Sequence, residues 1–161
     1  MGTSIGAAID YIVAALPAPL ILVDPTAVVV DNDPSVSAQS MVIIGRTEPE
    51  NALAADGSQM IVSLGAGRRE ENYLIPCFIS VYRQGPQQKP ARDAAIALFD
   101  VVAHLIASDV TLGGLLQQGR RAVVDRMQLV QTRDSGDTGD SGAMRLAMVV
   151  FDIQVTNTYI P

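Results

Sequence analysis

Asp100 and His104 are the side chains in this sequence whose types and spacing come closest to a catalytic pair. His104 is the only histidine, and it follows Asp100 by four residues, one turn apart on a helix. A carboxylate in that position can orient an imidazole. A hydrolase would also need a nucleophile and an oxyanion site, and the chain has no G-x-S-x-G elbow or comparable motif. We therefore interpret the two residues as an exposed helical pair, and we predict that the protein is not an enzyme.

A second candidate for chemistry is the segment 133–142, in which Asp134, Asp137 and Asp140 recur every third residue. A calcium-binding EF-hand loop needs carboxylates two residues apart, a glycine at its sixth position and a glutamate at its twelfth. The spacing here fails that test. Small residues between the carboxylates cannot form a packed core, so we predict a flexible hairpin loop and no metal site.

Two further features have structural rather than chemical interpretations. Cys77 is the only cysteine and stands in an apolar run, which predicts a buried thiol. Gly65-Ala66-Gly67 lacks the G-x-G-x-x-G extension and does not open a helix, so a phosphate cradle is not expected. The sequence predicts no cofactor.

The composition limits the possible partners. Apolar residues make up 48% of the chain and charged residues 17%, against about 25% in an ordinary soluble domain. So little charge favours burial of surface against other subunits. The formal net charge of −6 and the scattered basic residues argue against binding of nucleic acid. No membrane or signal segment is predicted, because Asp10, Pro17 and Pro19 interrupt the apolar N-terminal stretch.

The N-terminal third is predicted to hold one helix and several short extended segments. Apolar residues recur with helical spacing over 4–16, where Thr3 or Ser4 can cap the helix and Pro17 ends it. Short β-branched runs follow at Leu20–Val23 and Ala27–Val30, and a strand is expected at Ser40–Ile44.

The middle of the chain alternates in the manner of strands over Gln59–Leu64 and Glu70–Arg83. The second of these is apolar on both faces, which indicates a central strand. Pro76 conflicts with that position because it cannot donate a hydrogen bond to a neighbouring strand. We therefore expect a bulge or an unpaired stretch near Pro76.

The remainder predicts a helix over 91–108, a short helical turn over Asp109–Leu116, and two strands over about 122–132 and 143–157. We expect the helix to pack on the last strand, with Phe99 and Val102 against Phe151 and Ile153. The fold class predicted is α+β: a single domain over 1–161, in which a mainly antiparallel sheet is packed by an N-terminal helix and one long central helix.

Several segments, in this order along nearly the whole chain, resemble the tail terminator family of siphophages, especially its actinobacterial-phage branch. Besides the opening helix, they are Val28-Val29-Val30-Asp31-x-x-Pro34, Val42-Ile43-Ile44-Gly45, Gly67-Arg68-Arg69-Glu70-Glu71-x-Tyr73, Ala91-Arg92-Asp93-Ala94-Ala95 and Asp109-Val110-Thr111-Leu112-Gly113-Gly114. The last of these is the most specific.

The resemblance implies a virion protein, made in the host cytoplasm, that forms a hexameric ring at the head-proximal end of the tail tube. Such a ring ends tube polymerisation and offers a surface to the head–tail connector proteins, while DNA passes through without specific binding. An alternative is another ring-forming neck or head-completion protein. We assign the candidate subunit or tube interface to six charged residues: Asp134, Asp137, Asp140, Arg133, Arg68 and Arg69.

Overall fold

The computed structural model describes residues 4–31, 38–46, 55–63, 68–117, 120–133 and 144–159, without the side chains of 59–63, 68, 69, 133 and 159. Its elements are α1 (Ile5–Ala15), α2 (Pro17–Leu20), β1 (Ala27–Asp31), β2 (Ser40–Ile44), β3 (Asp56–Ser63), β4 (Arg68–Gln84), α3 (Lys89–Ser108), β5 (Arg121–Arg133) and β6 (Met144–Tyr159). The predicted loop 133–142 lies outside the described residues, except for the backbone of Arg133 at the end of β5.

The strands form one sheet in the order β1-β2-β4-β6-β5. β3 also pairs with β4, on the same edge as β2 but with a different part of the strand. The pairings are antiparallel except for that of β1 with β2. The two longest strands, β4 and β6, lie side by side at the centre and remain in register from Arg69 opposite Tyr159 to Gln84 opposite Met144. The fold is therefore α+β with a mainly antiparallel sheet, as the sequence predicts.

Pro76 lies at the point where β4 changes partners along one edge. β3 pairs with β4 as far as Leu74, and β2 pairs with it from Cys77 onward. The Pro76 carbonyl accepts a hydrogen bond from the Arg46 amide on this same edge of β4. The proline nitrogen, which has no hydrogen to donate, points toward this edge as well. The pairing with β6 continues past Pro76 without a bulge. The predicted unpaired stretch is thus confirmed, and it is confined to the junction between β2 and β3.

The helices cover one face of the sheet and form the main core with it. The buried side of α3 contacts β4, β5 and β6, and the rings of Phe99 and Phe151 meet edge to face with 5.3 Å between their centroids. Val102 and Ile153 are fully buried in the same core. The predicted packing of the long helix on the last strand is confirmed. A smaller apolar cluster on the other face is centred on Phe78.

The N-terminal helix ends before Pro17, as the sequence predicts, but Ser4 does not cap it through its side chain. Ser4 occupies the N-cap position of α1, but its hydroxyl donates to the Glu71 carboxylate at 2.8 Å instead of capping the helix. At the other end, Pro17 begins α2, because a proline is tolerated in the first turn of a helix. The run Leu20–Val23 is consequently not a strand: Leu20 ends α2 and 21–23 form a turn.

A bulge interrupts β5 at Arg126. The register with β6 shifts between Asp125 and Met127, so that Arg126 has no partner across the ladder. Its backbone is in the left-handed region, with φ at 51°. Such a bulge bends a strand and locally increases its twist.

Candidate functional site

The pair Asp100 and His104 lies on the exposed side of α3, as the sequence predicts. In the part of the chain that the structure describes, no hydrogen bond joins the two side chains and no nucleophile is held against the imidazole. They stand at the rim of a groove of about 410 Å³ between α2 and α3, which is otherwise lined mainly by apolar side chains such as Val101 and Leu105. The surface around Asp100 and His104 is therefore mainly apolar.

Within the described ranges, no group of three or more His, Cys, Asp or Glu side chains could hold a metal ion. Cys77 is fully buried in the core. Burial raises the pKa of its thiol to about 12. A thiol in that state is neither a ligand nor a nucleophile at neutral pH. The described helices include none that is both long and apolar enough to cross a membrane.

The six charged residues proposed from the sequence fall largely outside what can be described. Asp134, Asp137 and Asp140 lie outside the described residues. The backbones of Arg68 and Arg69 begin β4, and that of Arg133 ends β5 opposite Arg145. In β4, Arg69 is opposite Tyr159 at the far end of the sheet from Arg133. The structure therefore separates Arg68 and Arg69 from Arg133 by the length of β4.

The most exposed apolar segment of the described chain follows α2. The side chains of Ile21, Leu22 and Val23 are 56%, 84% and 48% exposed. They form the turn between α2 and β1, and we call them the apolar ridge. Asp24 fixes this turn from behind: its carboxylate accepts hydrogen bonds from Ser40 at 2.6 Å, from Thr26 and from the Arg83 guanidinium at 2.8 Å.

The hydrogen bonds to Asp24 also determine its charge state. Burial alone would raise the pKa of the carboxyl group, but the hydrogen bonds from Ser40, Thr26 and Arg83 outweigh that effect and hold the pKa well below its usual range. The carboxylate is therefore charged at neutral pH and bound by several donors. The residue that follows the ridge is thus held by hydrogen bonds, while the ridge itself is exposed.

A second apolar surface lies on the other flank of α3, beside β5. It is a hollow of about 340 Å³, which we call the β5-side hollow, lined by Ala103, Ile106, Ala107, Val110, Ala122, Val123 and Val124. A backbone hydrogen bond of 2.8 Å from the Ala122 amide to the Val110 carbonyl joins the turn after α3 to β5 at the hollow. Small side chains on α3 leave the space, since Ala103 and Ala107 face it.

The segment Asp109–Gly114, the most specific piece of the resemblance, has a structural role. The Asp109 carboxylate accepts hydrogen bonds from the Tyr11 hydroxyl, the Thr111 hydroxyl and the Gly113 amide. The bond from Tyr11, with those from Gly113 and Thr111, lowers the pKa of Asp109. The same bond raises the pKa of Tyr11. The segment thus forms a tight turn that fastens the end of α3 to α1.

A polar cavity of about 420 Å³, which the sequence analysis missed, lies at the sheet between β3 and β5 and is lined in part by Asp56, Asn72, Asp125, Arg126 and Gln154. Asp125 is directly opposite Asp152 across β5 and β6. The pKa of Asp152 is raised, mainly by burial. The charge of Arg126 partly offsets this effect, and the charge of Asp125 adds to it. The residues that line this cavity come from four different strands, so no local pattern in the sequence indicates that they lie close together.

Comparison with known proteins does not add to this description. No protein-family model matches the sequence, and no curated protein matches it significantly. Among the described residues, the exposed or partly open apolar surfaces are the apolar ridge, the groove beside it and the β5-side hollow.

Proposed function

We propose that the protein is a structural subunit of a siphophage virion that forms a six-membered ring at the head-proximal end of the tail tube. The ring ends tube polymerisation and offers a surface for attachment of the filled head. The observation that carries the proposal is the apolar ridge, where Leu22 is 84% exposed on a turn held by the buried network of Asp24. Exposed apolar surface on a well-anchored segment is typical of a site of contact with another protein.

The low content of charge supports the same role. With 17% charged residues, the chain has little polar material to cover its surface, and assembly into a ring would bury part of the apolar remainder. The net charge of −6 suits a passage through which DNA moves, because like charges repel the phosphate backbone. These features favour a structural role over a catalytic one.

The resemblance to tail terminators supports the specific place in the virion. Its most specific segment, Asp109–Gly114, organises the contact between α1 and α3 through the bond from Tyr11. In a family of structural proteins, we expect the shared residues to be those that shape the subunit.

The test uses the purified chain and the tail tube protein encoded in the same genome. We expect native mass spectrometry to show a monomer or weakly associated species for the chain alone and a hexamer when tubes are present. Tubes polymerised with the chain should be shorter in electron micrographs than tubes polymerised without it, with one ring at one end. A stable isolated dimer, with no ring on the tubes, would contradict the proposal. A ring that binds connector proteins but leaves tube length unchanged would instead indicate a neck protein.

A further inference from the structure

The bulge in β5 lies between two positions that share the core face of the sheet. Val124 is opposite Ile153, and Met127 is opposite Phe151. Ile153 and Phe151 belong to the main core, and residues directly opposite each other in a ladder share a face. Val124 and Met127 are three residues apart, whereas residues on one face of a regular strand are an even number apart. The chain therefore needs one extra residue between them, and either of the two intervening residues meets that need.

In the structure the extra residue is Arg126, and Asp125 is directly opposite Asp152. Both features are unfavourable. The backbone of Arg126 is in the left-handed region, with φ at 51°, where a residue with a Cβ atom is strained. Two carboxylates directly opposite each other on neighbouring strands repel. Among the described residues, no ion pair joins Arg126 to either carboxylate.

We propose that this bulge moves between two positions one residue apart. In the Arg126-bulge arrangement, which the structure shows, Asp125 is opposite Asp152. In the Asp125-bulge arrangement, Asp125 becomes the extra residue and Arg126 stands opposite Asp152. The flanking pairs of β5 and β6 stay in place, so the core is not disturbed. The movement is a property of the subunit itself and does not require the ring proposed above.

The Asp125-bulge arrangement relieves both unfavourable features. A pair of opposite charge replaces a pair of like charge across β5 and β6, and opposite charges in that position stabilise a sheet. The left-handed conformation passes from an arginine to an aspartate, which adopts it more readily. Asp125 and Arg126 are both exposed and line the polar cavity between β3 and β5. Neither side chain therefore has to enter or leave the core.

The charge of Asp152 couples the two arrangements to pH. In the Arg126-bulge arrangement the pKa of Asp152 is raised, mainly by burial and further by Asp125, and the charge of Arg126 only partly offsets this. An arginine directly opposite Asp152 favours the charged carboxylate and lowers its pKa. The arrangement with the higher pKa is favoured as the pH falls. Acid therefore favours the Arg126-bulge arrangement, and neutral pH favours the Asp125-bulge arrangement.

The other groups near Asp152 do not change the direction of this effect. On β4 the residue opposite Asp152 is the uncharged Pro76, and Arg46 bonds to the far edge of β4 at that proline. On β3, Asp56 lines the same polar cavity, while the helices pack on the other face of the sheet. Groups outside β5 keep their places when the bulge moves. They shift the pH at which the change occurs, but not its sign.

NMR spectroscopy of the isotope-labelled chain tests the proposal, with two variants as references. Arg126→Gly removes the cation and the strain at position 126, because glycine adopts a positive φ freely, and so fixes the bulge there. Asp125→Gly removes the repulsion and offers a glycine one residue earlier, and so fixes the bulge at position 125. The carbon chemical shifts of 124–127 report the backbone conformation and distinguish the two references.

In the parent we expect shifts between those of the two references at pH 7, with relaxation dispersion confined to 124–127 and 151–153. The ratio of the Asp125-bulge population to the Arg126-bulge population should fall about tenfold between pH 7 and pH 4. In Asp152→Asn this pH dependence should disappear. Asp100→Asn, which changes an exposed carboxylate on α3, should behave like the parent.

Parent shifts that match one reference at every pH would overturn the proposal. Persistence of the pH dependence in Asp152→Asn would overturn it as well, because another group would then be responsible. If a glycine variant does not fold, relaxation dispersion in the parent and in Asp152→Asn still decides the question. Its absence around the bulge of the parent over pH 4–7 would show a single arrangement and reject the movement.

Discussion

The Tyr11 hydroxyl donates a hydrogen bond of 2.5 Å to Oδ2 of Asp109 and so joins the middle of α1 to the turn that follows α3. The ring of Tyr11 also limits what can stand in that turn. A Cβ atom on Gly113 would lie 2.7 Å from Cε2 of Tyr11, whereas a Cβ on Gly114 would meet nothing within 4 Å. Both glycines have positive φ, at 69° and 82°.

The two glycines therefore make a matched pair. Gly114→Ala should lower the free energy of unfolding by about 1 kcal/mol, the cost of a left-handed backbone with a side chain. Gly113→Ala should cost about 1–2 kcal/mol more, because the Tyr11 ring must also move. Urea denaturation measures both. In a Tyr11→Ala background the difference should fall below about 0.5 kcal/mol, and a difference that persists there would show that Tyr11 is not its cause.

Asp24 should make the folded state sensitive to acid. Asp24→Asn weakens charge-assisted hydrogen bonds to Ser40, Thr26 and Arg83 and should lower the free energy of unfolding by about 2–3 kcal/mol at pH 7. Because the pKa of Asp24 is lower in the folded chain, its stabilising effect is present above about pH 4 and is lost as the pH falls through the folded-state pKa.

The stability difference between the parent and Asp24→Asn should therefore shrink steadily as the pH falls below about 4. Asp100→Asn, which changes an exposed carboxylate, serves as the control and should track the parent throughout. A stability difference for Asp24→Asn that is constant over this range would contradict the assignment of the effect to the charged carboxylate.

Phe151 should be the most costly aromatic residue to truncate. It is 1% exposed and packs edge to face on Phe99, so Phe151→Ala should lower the free energy of unfolding by about 3–5 kcal/mol. In a double-mutant cycle with Phe99→Ala, the two rings should show a coupling of about 0.5–1.5 kcal/mol. A Phe151→Ala variant that melts within a degree or two of the parent would refute the packing of α3 on β6.

The contact of the aspartates in the segment 133–142 with a neighbouring ring remains a prediction from the sequence. Replacing Asp134, Asp137 and Asp140 with Asn should leave the melting temperature of the free subunit unchanged, because small residues around them can bury little apolar area. The triple variant should cap tubes less well, and the loss should depend on salt if these carboxylates meet basic residues of a neighbouring ring. Normal tube lengths and normal particle yield would reject that role.

The sequence predicts the fold well where one physical signal dominates. Alternation along β4 places Tyr73 and Ile75 on one face, which in the structure is the face that packs in the main core. Helical spacing in α3 identifies its buried side. The sequence also shows that Pro76 conflicts with a central strand, but it does not contain the solution. The conflict is resolved only by the positions of β2 and β3 along β4, which local patterns do not encode.

The apolar surfaces could not be predicted from the sequence, because exposure is a property of the assembled fold. Leu22 stands in a β-branched run that is typical of a strand, yet Pro17 starts a new helical turn and places Leu22 on the surface. The residues proposed from the sequence are charged, whereas the ridge, the groove beside it and the β5-side hollow are mainly apolar. Arg126 also gave no signal, since a one-residue shift between β5 and β6 leaves little trace in the local sequence.

The register shift at Arg126 affects how readily another chain could pair with the exposed edge of β5. β5 ends the sheet order, and a long, flat strand in such a position is a template on which further chains can add by backbone hydrogen bonding. The bulge divides β5 into Arg121–Asp125 and Met127–Arg133 and places an exposed cation between them. Because the bulge bends the strand between the two halves, β5 does not present one long, flat edge. Such an interrupted edge disfavours open-ended growth of the sheet by addition of further chains, the kind of association that leads to fibrils.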